Sequence, residues 1–508
     1  MVNLKWNGKN NINSDSELYE ENYLPFQLVE YINSPLNDKL EKKKPIEDKK
    51  EWENLLILGD NKLAIDSLLK DFENKINLIY FDPPFATGGE FNLKILIGEN
   101  IQFSNSQRWI NKVAYDDYWK GGIDAYLNFM YMRLLLMKKL LSDSGSIYIH
   151  LDWHMVHYLK IIMDEIFGPD NFRNEIIWAY PAASVQTRNF FVRSYDAILF
   201  YTKSDDYVFN DDPNIYMEYS DRVKKALKKD EKGIYYHRGG SHNGKKLSQK
   251  VYIEQNGVFP RDVWNDIPYV RANTIEYQGF STQKPERLLK RIILASTNKG
   301  DIVADFFCGS GTTLVAAEKL GRRWIGCDFS NFAVNMAYKR IIDIGNGNNL
   351  LHWKKTYNRS AKPFKLYKIK EKREEYRIPL EFTSIKKNDM EFVDISQRPS
   401  IITEIKKEDN CFFIELKDYI IPYENLISKE IKEKILKWSD LIDYWAIDIN
   451  YKGKEFITTW ISYRTPKNRK LILDAGPFIF KESNSKYAII KTYDIFGIET
   501  FQKLKIGL

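Results

Sequence analysis

The sequence has only three cysteines, Cys308, Cys327 and Cys411. Three unpaired cysteines exclude a disulfide framework and a cysteine-rich zinc site. None follows a proline, so the chain has no Pro-Cys nucleophile of the kind that attacks cytosine C5. No apolar run approaches the ~20 residues that span a bilayer. Met1 to Glu21 is polar and has no signal-peptide pattern. The expectation is a soluble cytoplasmic protein. His150, His154 and His157 lie close together but lack a His-Glu-x-x-His arrangement, and the first falls on an expected strand. They read as core or edge histidines, and no metal site is expected. The sequence has no internal repeats.

Hydrophobic residues make up 44% of the 508, enough for a sizeable core. The length corresponds to about two to four domains. Aromatics are abundant, with 32 Tyr, 29 Phe and 12 Trp, and the net charge is +7. A mildly basic balance permits a nucleic-acid partner without demanding one.

The stretch Asn77-Leu78-Ile79-Tyr80-Phe81-Asp82-Pro83-Pro84-Phe85 organises the rest. Leu78 to Phe81 reads as a buried strand, and the double proline ends it because proline has no N–H for a ladder. Asp82 therefore falls at the carboxyl end of a strand, where open α/β sheets carry their chemistry. Its carboxylate and the Pro83 carbonyl are two fixed acceptors beside the flat face of Phe85. An exocyclic amine on a planar base needs that set. A solvated Asp at a Pro-Pro turn is the alternative for the motif alone.

Upstream, Leu55 to Leu58 reads as a strand, Gly59-Asp60-Asn61 as a turn, and a helix follows with Ala64, Ile65, Leu68 and Leu69 on one face. With the Asp82 strand this is a parallel crossover unit. Asp60 thus reaches the same sheet edge, and also fits as a helix N-cap. Ala86 to Ile123, with Arg108, Trp109, Tyr115, Tyr118 and Trp119, is expected to be a lid or binding loop. Helices over 126–141 and 152–167 and strands over 146–150, 176–180 and 197–201 complete this half.

A second informative stretch lies at Asp301 to Asp328. A strand ends at Asp305-Phe306-Phe307, and Cys308-Gly309-Ser310-Gly311-Thr312-Thr313 forms a glycine turn. A helix of small residues and a strand ending at Asp328 follow. Glycines admit a ligand to the backbone, and an acid about 20 positions on can hold a ribose diol. Leu314 stands where a dinucleotide fingerprint has its third glycine, which favours a nucleoside ligand without pyrophosphate. Between 205 and 270 the chain is irregular, basic and aromatic, with Lys224, Lys225, Arg238, Lys245 and Lys246. Such an insert suits DNA contact, as Arg108 does, although a solvated surface is the alternative for any single lysine.

Together these stretches resemble the β-class of DNA amino-methyltransferases, the group of type III restriction–modification Mod subunits and solitary adenine-N6 enzymes. Asp82-Pro83-Pro84-Phe85 looks like the catalytic tetrapeptide, with Phe for the commoner Tyr. Asp305, Phe307, Gly309, Ser310, Gly311 and Thr312 look like the S-adenosyl-L-methionine loop, and Asp328 like the acid on its ribose. Asp60 and Asn61 look like the adenine-contacting segment. Thr282 and Lys284, in Thr282-Gln283-Lys284-Pro285, resemble the element that closes over the methionine end. The catalytic tetrapeptide precedes the cofactor loop, which is the circularly permuted order of this class.

The resemblance covers roughly residues 52–345 and implies an α/β, Rossmann-like methyltransferase sheet. It divides the chain into an N-terminal arm (1–50), a catalytic half (51–204), a target-recognition insert (205–270), a cofactor-binding half (271–350) and a mostly β accessory domain (351–508). It implies methyl transfer to adenine N6 in double-stranded DNA by base flipping, in a restriction–modification or related defence setting. A homodimer or a restriction subunit are the partners it brings into view. A cytosine-N4 enzyme, an RNA base amino-methyltransferase and an inactive DNA-binding module are the alternatives.

Overall fold

Apolar runs too short for helices and closed by turn residues become the middle of an eleven-stranded sheet. The computed structural model describes residues 4–9, 26–33, 52–99, 108–180, 189–242, 245–253, 257–280, 282–369, 377–379, 382–383, 392–395, 397–453, 455–479 and 486–506. The first elements are β1 (Phe26–Ile32), β2 (Asn54–Leu58), α1 (Asn61–Phe72), β3 (Ile76–Phe81), β4 (Glu90–Leu96) and β5 (Trp109–Asp116). Next come α2 (Gly122–Leu140), β6 (Leu141–Leu151), α3 (Val156–Phe167), β7 (Phe172–Ala179) and β8 (Tyr195–Thr202). A small three-stranded sheet of β9 (Lys228–Asp230), β10 (Gly233–His242) and β11 (Lys245–Tyr252) follows, then β12 (Val263–Trp264). The second half holds α4 (Glu286–Ser296), β13 (Ile302–Asp305), α5 (Thr312–Lys319), β14 (Arg323–Asp328), α6 (Asn331–Ile342) and β15 (Phe364–Ile369).

The sheet order is β12-β7-β8-β6-β3-β13-β14-β2-β15-β1, with Phe456–Ile457 at the far edge. From β6 to β15 the strands are parallel. Alternation along β3 divides its side chains between two cores. Ile79 and Phe81 face α1, α2 and α3, whereas Leu78 and Tyr80 face α4, α5 and α6. β3 and β13 are neighbours, although more than 200 residues separate them in sequence. The chain leaves β3 in one direction across the sheet and β13 in the other, so the crevice at their carboxyl ends is a topological switch point.

Four expectations are corrected. Residues 26–32 belong to the sheet rather than to a solvated arm, antiparallel to β15. Their apolar face is hidden in the sequence by Glu30, a buried carboxylate whose partner Lys491, 2.8 Å away, lies at the other end of the chain. Residues 39–50, the lysine-rich part of that arm, lie outside the described residues. The expected lid contains a hairpin, β4 paired with β5. Its Ile97 and Ile110 are buried in the core of the C-terminal sheets. Arg108, expected on DNA, instead donates to Asp440 at 2.9 Å and to the Lys434 carbonyl at 3.0 Å, fastening the hairpin to that region. The C-terminal part is otherwise β-rich, with a three-stranded sheet (Ser400–Glu408, Cys411–Ile420, Asp474–Ile479) and a four-stranded one (Trp460–Tyr463, Ile442–Asp448, Tyr487–Asp494, Glu499–Lys505). β15 lies in the expected accessory segment, yet it extends the central sheet beside β2.

Candidate active site

Because β3 ends at Phe81, Asp82 stands at the mouth of the switch-point crevice. The cleft is lined by Asp82 and Pro84 on one side and by Asp305, Phe307, Gly309, Ser310 and Thr312 on the other. Asn61, Thr282, Lys284 and Asp328 complete the sequence-predicted residues on its wall. Phe85 packs against the core under α1 to α3, with the Lys284 ammonium 5.6 Å from its ring centroid. Lys284 Nζ also lies 2.5 Å from Asp82 Oδ2. The other oxygen, Asp82 Oδ1, is buried and has no hydrogen-bond partner. An orphaned carboxylate oxygen in a cleft is costly unless a ligand's donor satisfies it.

The cofactor-side cradle is built by backbone geometry. Gly309 and Gly311 hold φ of 47° and 75°, and Gly311 caps the N-terminus of α5. A Cβ at Gly311 would come within 2.8 Å of Ala337 Cβ on α6, so the helix pair needs glycine there. Asp328 accepts from Gly309 N–H and Ser330 N–H, both at 2.9 Å, which locks the turn to the end of β14. Asp305 accepts from Phe307 N–H at 3.0 Å and Thr313 Oγ1 at 2.5 Å. Burial pushes Asp328 up to about 6 against its backbone hydrogen bonds. Burial, opposed by those donors and aided by Asp82 and Asp328, pushes Asp305 up to about 7.

Asp60 caps α1 by accepting from Leu63 N–H at 3.1 Å and pairs with the buried Arg133 at 2.9 Å. Asp60 is exposed and does not line the cleft, whereas the next residue, Asn61, is on its wall and donates to the Phe306 carbonyl at 3.0 Å. Lys224 and Lys225 are exposed on a short helix, Lys224 being paired with Glu218 at 2.5 Å, and Arg238 is exposed on β10. The side chains of Lys245 and Lys246 lie outside the described residues.

Several site residues carry no sequence signal. Asp117 accepts from Ala86 N–H at 2.9 Å and Thr87 N–H at 2.8 Å, pinning the turn after Phe85. His150, fully buried, joins Tyr80 Oη at 2.9 Å to Asp196 at 3.0 Å, and its ring is 6.5 Å from that of Phe85. Of the two readings, core or edge, His150 is thus a core residue, on a strand paired on both sides. On the rim, Trp153 is 41%, Phe190 56% and Phe191 99% exposed. The Arg193 guanidinium lies 3.9 Å from the Trp153 ring centroid. Trp153 follows the carboxyl end of β6, and residues 189–194 run into β8, which puts these aromatics at the edge that carries Asp82.

The sequence pattern of the DNA methylase family matches residues 76–339. A type II methyltransferase of Enterobacter cloacae, M.EcaI, is 33% identical over 331 residues, covering 57% of this chain and 69% of that protein. The DNA adenine methyltransferase YhdJ of Escherichia coli (strain K12) is 30% identical over 287 residues, covering 56% of this chain and 82% of its own. A probable type III restriction-modification enzyme Mod subunit of Haemophilus influenzae, HindVI, is 26% identical over 403 residues, with 58% of this chain and 51% of that one covered.

Proposed function

Since the chain belongs to the DNA methylase family over residues 76–339, we propose that it is a site-specific methyltransferase that modifies adenine N6 in double-stranded DNA. The observation that carries the reading is Asp82, at the carboxyl end of β3, with one oxygen buried and unpartnered in the cleft shared with the glycine turn. The methyl donor is S-adenosyl-L-methionine, which supplies an electrophilic methyl on a sulfonium. The donor set fits it. A carboxylate at Asp328 suits a ribose diol, and the Gly309 to Gly311 turn admits a nucleoside to the backbone.

The chain's own groups do the rest. An adenine inside a duplex is out of reach, so the base is extruded into the cleft. Asp82 Oδ1 and the Pro83 carbonyl accept the two N6 hydrogens, which draws the nitrogen lone pair out of the ring and aims it along the methyl's line of approach. Phe85 stacks on the base, a contact of about 1–3 kcal/mol. Holding two reactants in line supplies much of the acceleration. Arg238, Lys224 and Lys225 of the insert, exposed and basic, contribute to phosphate contact. A restriction–modification setting with a nuclease partner belongs to the same reading.

Expression in a methylation-free bacterial host, followed by single-molecule sequencing of host DNA, tests it. N6-methyladenine at one short sequence is expected. N4-methylcytosine would keep the mechanism and reverse the base, and DNA without new marks would contradict the reading.

A further inference from the structure

The apolar patch at the catalytic edge has a braced inner part and a free outer one. Trp153 and Phe190 are the inner part. The Arg193 guanidinium stacks on Trp153 at 3.9 Å and lies 5.2 Å from the Phe190 ring centroid. Phe191 stands beyond them, 99% exposed, and makes no ring or cation contact among the described residues. Large aromatics clustered in water mark a contact surface. Arg193 has no carboxylate partner among the described residues, so its charge is left for an anion. Aromatic rings around an unpaired guanidinium suit the bases and phosphates of a nucleic acid. The stem under the patch is fixed to the base site. Tyr180 N–H donates to the Ser194 carbonyl at 2.9 Å. Asp196 accepts from Tyr180 Oη at 2.8 Å and joins His150, whose ring lies 6.5 Å from that of Phe85. Phe191 is five positions from Asp196, at most about 17 Å of extended chain.

Extruding a base breaks its stacking and pairing and leaves a gap beside the orphaned partner base. An apolar side chain that enters a base step can fill such a gap. We propose that Phe191 is that wedge: it enters the duplex at the target step, stacks in the place of the extruded adenine and holds the orphaned partner, while Arg193 meets a flanking phosphate. The inference rests on the methyltransferase reading and adds the means by which the duplex gives up its base. Phe85 and Phe191 then have separate tasks, one on the extruded base and the other on the vacancy it leaves.

The test uses the full chain and duplexes carrying its mapped site, either intact or with an abasic position opposite the target adenine. In the abasic duplex the target has no partner to leave and there is no orphan to hold, so a wedge is not needed. Phe191→Ala should lower kcat/KM for methylation of the intact duplex by ~10-fold or more, about 1.4 kcal/mol, and that of the abasic duplex by no more than ~3-fold. Phe191→Leu, which keeps an apolar side chain able to enter a base step, should recover most of the loss. A 2-aminopurine at the target position, whose fluorescence rises on extrusion, reads the same step. With sinefungin, an unreactive donor analogue, the rise in the intact duplex should be large for the wild type and small for Phe191→Ala. Phe191 is exposed, so the fold does not depend on it, and sinefungin affinity should be unchanged. An equal fractional loss on both duplexes would make Phe191 a surface contact and overturns the proposal. Undiminished methylation of the intact duplex by Phe191→Ala also overturns it and leaves the patch to a protein partner. Sequencing of wild-type host DNA decides the methyltransferase reading separately.

Discussion

Asp328 carries two tasks that both need its charge, in a site whose burial opposes that charge. Its oxygens hold the Gly309 and Ser330 amides, yet burial raises it to about 6. A ribose diol donates hydrogen bonds and needs the carboxylate, so donor binding releases a proton in acid. Sinefungin affinity is expected to fall as pH drops below about 6 and to level off above it. Calorimetry at several pH values checks this, and Asp328→Asn should bind weakly with no such pH dependence. The sign for stability is opposite. A carboxyl raised in the fold stabilises the donor-free protein below its unfolded value and loses that contribution as pH rises through about 6 for Asp328 and about 7 for Asp305. Asp117 makes a second residue-scale case. Asp117→Asn weakens two amide contacts that fix the turn after Phe85, so turnover should fall severalfold while sinefungin affinity holds, read as kcat against donor binding. Asp82, Phe85, the glycine turn and Asp328 were all legible in the sequence, because each is a local pattern at a strand end. Asp117 and Asp196 were not, because their partners lie on other elements and nothing near them in the chain announces the pairing.

At the scale of elements, the glycine turn and α5 form one unit with α6. Gly311→Ala combines a strained φ of 75° with a 2.8 Å approach to Ala337, and overpacking of this kind costs about 1–3 kcal/mol. A lowered melting temperature and lost sinefungin binding are expected together; loss of neither would contradict the packing account. The rim aromatics belong to the turns at the catalytic edge. Phe191→Ala and Trp153→Ala should each weaken duplex binding by about 1–3 kcal/mol if they stack on bases, with donor binding intact, and gel-shift titration measures it. The β4–β5 hairpin shows where element reading stops short. A long polar insertion beside a strand end has the composition of a lid, and only the distant Asp440 and Lys434 reveal that Arg108 anchors it. The crossover units on either side of Asp82 and Asp305 were legible because apolar period and turn chemistry agree there.

Over the whole molecule, the ends of the chain are tied through the sheet. Glu30 on β1 accepts from Tyr338 Oη at 2.6 Å and pairs with Lys491, and both charged side chains are fully buried. Lys491 also pairs with Glu499 at 2.8 Å, so it is removal of Lys491 that leaves the buried Glu30 charge uncompensated, at about 3–5 kcal/mol. Lys491→Met should therefore lower the thermal midpoint markedly, whereas the paired change Glu30→Gln with Lys491→Met should recover part of the loss. This tie was invisible beforehand, since a Glu in a short strand between charged runs reads as surface. The permuted order, by contrast, was legible: tetrapeptide first, cofactor turn last, joined as neighbours by β3 and β13. That adjacency makes Asp82 the centre of the account. The most direct test compares wild type with Asp82→Ala for donor binding by calorimetry and for methyl transfer to DNA. Sinefungin binding within a few-fold of wild type, with transfer reduced on the order of 10²–10³-fold or more, the scale of one preorganised contact, is the predicted result. Near-normal transfer by Asp82→Ala would contradict it.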